Sequence, residues 1–330
     1  PLHYRNKAQY PIGINKQGEP VIGVFANRTH EVIPIDNCLI QNKKSEEIAK
    51  FIVEFIKEKN ISIYDEKTGK GLVRHIVTKV GIKTGEIMCV IVINGHKIPN
   101  ENELVENLKT RYPEIKAIVK NINMKNTNVI LGQENINLYG NGYIEDILGE
   151  YKFKISPLSF YQVNPVQAEK LYNLGVSMAE ITKNDVVFDL YCGIGTISLF
   201  MSKFAKKVYG IEIVEEAVKM AKENAQNNNV SNTEFFAGDV EIVLDDLINN
   251  KGLRADVVMF DPPRKGLDKK SIDNILNIRP KKIVYISCNP ATLIRDLADF
   301  ENEYDIKTII PVDMFPFTSH VECCSVLQLK

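Results

Sequence analysis

The second half of the chain alternates short apolar runs with segments of helical periodicity. The apolar runs are rich in β-branched and aromatic residues and lie at 186–191, 207–213, 234–237, 255–260 and 281–287. This alternation predicts a parallel sheet wound on both faces by helices, which is an α/β fold. Two final strands near 307–312 and 321–329 have no helical signal between them, so they predict a hairpin that adds an antiparallel edge.

The first half has a different pattern, typical of an α+β domain. Turn residues separate its apolar runs, and helical periodicity occurs only twice. Strands are predicted at 21–26, 31–35, 72–79, 87–94, 115–121 and 129–131, and helices at 45–59 and 101–110. A further helix near 165–180 leads into the second half. We therefore predict two domains, residues 1–154 and residues 155–330.

Charge and cysteine usage narrow the class of protein. The 330 residues carry a net charge of −1, but residues 1–154 hold 22 basic and 18 acidic side chains. A mildly basic first half is compatible with phosphate contact, and ordinary scatter of surface charge explains it equally well. No apolar run approaches the roughly 20 residues of a membrane span, so no membrane partner is expected. Six cysteines without CxxC spacing favour free thiols in a reducing cytoplasm.

A glycine-bearing turn follows the first strand of the second half. The string Val187-Phe188-Asp189-Leu190-Tyr191-Cys192-Gly193-Ile194-Gly195-Thr196 predicts a strand, a tight turn and a helix that begins near Thr196. Gly193 and Gly195 let the backbone approach a ligand closely. Glu212 ends the next predicted strand, where a carboxylate can accept hydrogen bonds from both hydroxyls of a ribose. The pattern DxxCGxG departs from GxGxxG, which holds a pyrophosphate, so it favours S-adenosylmethionine over NAD.

Asp261-Pro262-Pro263-Arg264-Lys265-Gly266 follows the strand predicted at 255–260. Ligands of open α/β sheets bind beyond the carboxyl ends of the strands, and the two prolines stiffen the loop that orients Asp261. The loop could hold either the cofactor or a base. Amino-group methyltransferases carry a similar motif with an aromatic residue after the prolines, where this chain has Arg264.

Cys288 lies at the end of the strand predicted at 281–287 and before Asn289-Pro290, which predicts the start of a helix. A helix N-terminus would lower the pKa of the thiol and favour a nucleophilic thiolate. The alternative is a buried, unreactive cysteine. Glu322, in the apolar segment 321–327, is either a base that acts with Cys288 or an exposed charge on an edge strand.

Together these strings resemble the RNA uracil-C5 methyltransferase family, which makes 5-methyluridine in ribosomal and transfer RNA. The matching signatures are DPPRKG, a spacer of sixteen residues, IVYISCNPAT, and then VDMFPFTSHVE. The string Ser159-Phe160-Tyr161-Gln162-Val163-Asn164-Pro165 also resembles the entry into the family's catalytic domain, and Phe317 is a departure from the family's usual Gln, His or Tyr. The similarity covers essentially the whole chain.

The resemblance implies a Rossmann-like class I S-adenosylmethionine methyltransferase domain with a mostly parallel, seven-stranded sheet, preceded by an α+β RNA-binding domain. It implies that Cys288 is the nucleophile and that Glu322 removes the C5 proton. It also implies cofactor contacts from Gln162, Tyr191, Thr196, Glu212, Asp239 and Asp261. The expected RNA is 23S ribosomal RNA, with transfer RNA as the alternative, and the expected location is the cytoplasm. The sequence leaves the oligomeric state open, with a monomer favoured over an oligomer.

Members of the family often begin with a small RNA-binding barrel of OB type, and many hold a four-cysteine iron–sulfur site. This chain shows neither the barrel nor the first three clustered cysteines. Cys38 stands where the fourth ligand would be, so it is either an orphaned ligand of a 4Fe-4S cluster, possible only in a longer protein, or a buried thiol. Two other functions remain open: a base amino-group methyltransferase and a catalytically silent RNA-binding protein.

Overall fold

The computed structural model describes residues 2–330. Their strands are β1 (Lys7–Ile14), β2 (Pro20–Phe25), β3 (Val32–Pro34), β4 (Val73–Val80), β5 (Ile87–Ile93), β6 (Ile115–Ile122), β7 (Glu134–Tyr139), β8 (Ile144–Leu148), β9 (Tyr151–Ile155), β10 (Val186–Leu190), β11 (Lys207–Glu212), β12 (Thr233–Ala237), β13 (Val257–Phe260), β14 (Lys282–Ser287), β15 (Tyr304–Val312) and β16 (Glu322–Leu329). The helices are α1 (Lys43–Glu58), α2 (Glu101–Arg111), α3 (Pro165–Ala179), α4 (Thr196–Ser202), α5 (Glu215–Asn227), α6 (Val240–Asp245, continued by a π-helical turn over Asp246–Asn250), α7 (Lys269–Ile278) and α8 (Pro290–Phe300).

The described residues divide into two compact units. Unit 1 runs up to Ile147 and includes Lys154–Leu158, and unit 2 comprises Leu148–Phe153 and Ser159–Lys330. The predicted boundary between residues 154 and 155 lies within the Lys154–Leu158 segment of unit 1. None of the helices in the described part of the chain combines the length and the apolar character needed to cross a membrane.

Unit 1 contains a seven-stranded sheet in the order β3-β2-β1-β4-β5-β6-β7. Only β5 and β6 are parallel neighbours, because α2 lies between them in the chain; the other pairs are antiparallel. Helix α1 begins after Asn42, whose side chain accepts a hydrogen bond from the Lys44 amide, and it buries an isoleucine stripe that includes Ile48, Ile52 and Ile56. The helix therefore starts two residues before the predicted Ser45.

One strand predicted for unit 1 is wrong. Residues 129–131 form a loop because the Asn123 side chain donates hydrogen bonds to the carbonyls of Val129 (2.7 Å) and Ile130 (3.0 Å), which takes those carbonyls out of any strand ladder. The strand lies a few residues later, at β7. Strand β1 was not predicted, because Pro11 interrupts its apolar pattern. In the structure β1 nevertheless pairs with β4, and Pro11 lies opposite His75.

Unit 2 contains a second seven-stranded sheet in the order β12-β11-β10-β13-β14-β16-β15. Strands β10 to β14 are parallel, and β16 pairs antiparallel with both β14 and β15. The predicted fold class and the antiparallel hairpin are therefore confirmed. Because β16 lies between β14 and β15, it is an internal strand, and its first residue, Glu322, is not an edge charge.

Candidate active site

The turn after β10 holds three left-handed residues within five positions. Tyr191 has φ 64°, Gly193 has φ 55° and Gly195 has φ 82°. A Cβ on Gly193 would meet no atom within 4 Å, so here the backbone itself faces open space. A Cβ on Gly195 would come within 3.2 Å of Ala221 and Phe235. The predicted strand, turn and helix are thus present, with Gly195 at the N-cap of α4.

Two carboxylates flank this turn at the ends of β11 and β12. Glu212 Oε2 accepts a hydrogen bond from the Gly193 amide at 3.1 Å, and its Oε1 accepts one from the Val214 amide at 2.9 Å. Asp239 caps α6 by accepting a hydrogen bond from the Glu241 amide at 3.0 Å. Each carboxylate is held by backbone, so its position does not depend on a flexible side-chain partner.

Asp261 follows β13 and lies in the same part of the fold. Its Oδ2 accepts a hydrogen bond from Gln162 Nε2 at 3.3 Å. Burial raises the pKa of the Asp261 carboxyl to about 7, and the hydrogen bond from Gln162 opposes that rise. The Asp261 carboxyl can therefore gain or lose a proton near neutral pH.

Strand register brings Cys288 and Glu322 together. In the antiparallel β14–β16 ladder, Ser287 lies opposite Cys323, so the next position of the register joins Cys288 to Glu322. Glu322 is 3% exposed, and its Oε2 has no hydrogen-bond partner among the described residues. Burial, followed by the charge of Asp261, raises the pKa of Glu322 to about 8. A carboxylate with this pKa is a stronger base than an exposed glutamate.

The pKa of the Cys288 thiol is raised, contrary to the sequence-based prediction. Helix α8 does begin at Pro290. However, burial of the thiol raises its pKa, the negative charges of Glu322 and Asp261 add to the rise, and Arg264 opposes it. The thiol is therefore mostly protonated in the ligand-free protein, and positive charge brought into the site would favour the thiolate.

The predicted site residues surround one cleft of about 600 Å³ in unit 2. Its lining includes Gln162, Tyr191, Gly193, Glu212, Asp239, Asp261, Cys288 and Glu322. Gly195 and Thr196 form the adjoining start of α4. Cys38 lies in unit 1, half-buried, with its amide bonded to Glu46. Residues 2–330 contain no group of three or more His, Cys, Asp or Glu side chains arranged to hold a metal ion.

A hydrogen-bond network that supports the Asp261 loop was not predicted from the sequence. Asp296, on α8, accepts hydrogen bonds from the Tyr285 hydroxyl (2.7 Å) and the Leu267 amide (2.8 Å). Its neighbour Arg295 pairs with it and also donates to the Lys265 carbonyl at 2.8 Å. The network ties the helix after Cys288 to the loop after Asp261. No motif signals it, because its members are far apart in sequence.

Two further features, one in the cleft and one in the strand that leads to the glycine-bearing turn, were also not predicted. Phe160 lines the cleft yet is 68% exposed, which is unusual for a large aromatic side chain. Asp189 is buried at the end of β10 and accepts a hydrogen bond from Ser198, while its Oδ1 has no partner among the described residues. Burial raises the pKa of Asp189 to about 7.

A comparison of the whole sequence with known protein families agrees with the site that the cleft geometry indicates. The family model for tRNA (uracil-5-)-methyltransferases matches residues 1–330. The chain belongs to this family. The resemblance noted from the DPPRKG, SCNP and HVE strings is thereby confirmed, as is the expectation of an RNA-methylating enzyme.

Relatives of the family match the chain over almost its full length. An RNA methyltransferase of Caldanaerobacter subterraneus subsp. tengcongensis is 49% identical over 99% of this chain and 72% of its own. An RNA methyltransferase of Staphylococcus aureus is 45% identical over 100% of this chain and 73% of its own. The solved tRNA (uracil-54, C5)-methyltransferase of Pyrococcus abyssi, in complex with S-adenosyl-L-homocysteine, is 30% identical with a TM-score of 0.80 and covers 99% of this chain and 76% of that one.

Proposed function

We propose that this protein transfers a methyl group from S-adenosylmethionine to C5 of a uridine in RNA. The residues that line the cleft are chemically suited to this cofactor. Glu212 and Asp239 offer carboxylate oxygens to ribose and amino groups, and Pro262, Pro263 and the exposed Ile213 offer apolar walls. At Gly193, the turn beside Glu212 exposes backbone atoms to the cleft without a covering side chain. The relative from Pyrococcus abyssi was solved with S-adenosyl-L-homocysteine, which supports the same ligand here.

The observation that carries the proposal is the β14–β16 register, which places the Cys288 thiol and the buried Glu322 carboxylate side by side at one cleft. C5 of uracil is a weak nucleophile, so it must first be activated. The Cys288 thiolate forms a bond to C6, and the electron pair of the C5–C6 double bond moves into the ring to give an enolate. The cofactor, held by Glu212 and Asp239, would supply an electrophilic methyl group to C5; the sulfur–methyl bond would break and its electron pair would stay on sulfur, which leaves neutral S-adenosylhomocysteine. Glu322 removes the C5 proton, and the pair left on C5 re-forms the double bond and expels the Cys288 sulfur.

The raised pKa values fit these roles. Before the methyl group moves, the nucleophile must ionise and the base must lose its proton, and the positive charge of a bound cofactor sulfur would favour both states at that stage. With a pKa of about 8, Glu322 holds a proton firmly after accepting it, yet releases it to water near neutral pH. An exposed glutamate would be a far weaker base for a carbon-bound proton.

The uridine must leave the RNA stack to expose its ring faces to this cleft. Phe160 offers an aromatic face at the cleft for that base. For the RNA itself we propose 23S ribosomal RNA, because the central region of the sequence resembles that branch of the family. The alternative is transfer RNA, in which the Pyrococcus abyssi relative methylates uracil 54 by its name.

The proposal is tested with unmodified 23S ribosomal and transfer RNA, labelled cofactor, and sequencing of the methylated product. Cys288→Ala should bind the cofactor yet form no 5-methyluridine, and Glu322→Gln should trap an RNA–protein adduct that survives a denaturing gel. Cys38→Ala is the matched thiol control and should keep full activity. Turnover by Cys288→Ala would refute the covalent route.

The same measurements separate the other two functions. A methyl group found on an exocyclic amino group of adenine or guanine would identify an amino-group methyltransferase. RNA binding without transfer by the wild-type protein would identify a silent binding protein. Product in only one of the two RNAs would decide the substrate.

A further inference from the structure

Unit 1 contains a cleft that the methyl transfer does not use. It measures about 440 Å³ and lies between the β2–β3 hairpin and the loop that follows β6. Its lining includes Phe25, Arg28, His30, His75, Val129 and Ile130, none of which lines the cleft of unit 2. We propose that this cleft binds an unpaired nucleobase of the substrate RNA, as a second nucleotide site besides that of the methylated uridine. This inference rests on RNA being the substrate.

His75 is the strongest observation for a ligand. It is only 3% exposed, it lies on β4, and neither ring nitrogen has a hydrogen-bond partner among the described residues. Burial and the neighbouring Arg74 lower the pKa of His75 to about 4, so the ring is neutral at pH 7. A neutral imidazole offers one donor and one acceptor. Leaving this donor and this acceptor without hydrogen-bond partners costs about 1–3 kcal/mol each, and a ligand with complementary groups can recover that free energy.

The walls of the cleft suit a flat aromatic ligand. Phe25 is 37% exposed, and its ring makes edge contacts with His30 (centroids 5.7 Å apart) and His75 (6.0 Å). Val129 and Ile130 add apolar surface. Single-stranded bases bind proteins by stacking on such aromatic faces while neighbouring polar groups contact the base edge. Every nucleobase edge carries the donors and acceptors that a neutral imidazole needs.

The charges around the cleft also favour RNA. The Glu66 carboxylate is neutralised by the buried Arg74, at 3.0 Å, and the Arg74 guanidinium in turn lies 4.2 Å from the centroid of the Tyr64 ring. Exposed Arg28 lies on the hairpin turn in the left-handed conformation, with φ 60°. A guanidinium at the rim can contact the phosphate of a base that occupies the cleft.

The test measures RNA affinity separately from chemistry. His75→Phe keeps a buried ring and removes both nitrogens, and Phe25→Ala removes the stacking face; both are made in a Cys288→Ala background, with unmodified 23S ribosomal and transfer RNA as probes. We expect each variant to weaken binding of the substrate RNA about tenfold. We also expect His75→Phe to melt no lower than its parent, because two unmet polar atoms are gone. Phe204→Ala removes an exposed phenylalanine of unit 2 that lines neither cleft; it is the matched control and should bind RNA normally.

In the active protein the same substitutions should raise KM for RNA and leave cofactor affinity and the Cys288 adduct unchanged. If the folded variants bind RNA as tightly as the Cys288→Ala parent, the proposed nucleobase site in unit 1 is refuted. It is also refuted if His75→Phe loses stability together with RNA affinity. Either result leaves methylation by the wild-type protein intact. Failure of the proposed function is a distinct result, because the wild-type protein would then methylate neither RNA.

Discussion

Glu322→Gln should change the pH dependence of stability as well as activity. The carboxyl is buried and its Oε2 lacks a partner, so burial raises its pKa from 4.5 to about 8. The folded protein therefore binds this proton more tightly than the unfolded chain does. It follows that the free energy of unfolding of the wild-type protein falls as pH rises from about 4.5 to about 8. The amide cannot ionise, so the variant loses this part of the pH dependence.

The magnitude follows from the shift. About 3.5 pH units at about 1.4 kcal/mol each gives about 5 kcal/mol, an upper value because water and neighbouring groups relax around the charge. The amide leaves a buried N–H group unmet, at a cost of about 1–3 kcal/mol. The variant should thus be less stable than the wild type by about 1–3 kcal/mol at pH 5, and more stable by about 2–4 kcal/mol at pH 9.

The assay is urea unfolding from pH 4.5 to pH 9, followed by circular dichroism because the chain has no tryptophan. The informative quantity is the difference between the two proteins at each pH, since the other carboxyls titrate in both. Glu216→Gln, on the exposed surface of α5, controls for the loss of one negative charge. Parallel stability curves for Glu322→Gln and the wild type would refute the idea that Glu322 is a desolvated carboxyl held for base catalysis.

Three further changes probe the cleft. Gly266→Ala should lower the free energy of unfolding by about 2–4 kcal/mol, because φ is 77° and the new Cβ would overlap the Asp296 carboxylate; denaturant titration measures the loss, and full stability would contradict it. Ser198→Ala should cost about 1–3 kcal/mol, more at pH 8 than at pH 5, since it removes the donor that favours ionised Asp189; a loss equal at both pH values would argue against this account. Phe160→Ala should raise KM for RNA about tenfold with cofactor affinity unchanged, because stacking on a base contributes about 1–3 kcal/mol; unchanged steady-state kinetics would remove Phe160 from the RNA site.

Local sequence was a good guide to the parallel strands and a poorer guide to unit 1. Five apolar runs between helical segments predicted β10 to β14 because a strand buried on both faces needs continuous apolar residues. In unit 1 the amide side chain of Asn123 turned residues 129–131 into a loop, and β1 forms despite Pro11. Strand β1 depends on a partner distant in sequence, β4, and the Asn123 side-chain bonds, although local, are not encoded in an apolar pattern.

By itself, the sequence determined which chemical groups are available: a cysteine after a strand, a carboxylate nine residues after Asp313, and glycines at a strand-to-helix turn. It also determined the family, because those groups occur in three recognisable strings. Only the tertiary structure decided their electrostatic state. Strand β16 is inserted between β14 and β15, so Glu322 is buried beside Cys288 instead of lying on an edge. That burial removes water from both groups and raises their pKa values, an effect of the surroundings that no local motif encodes.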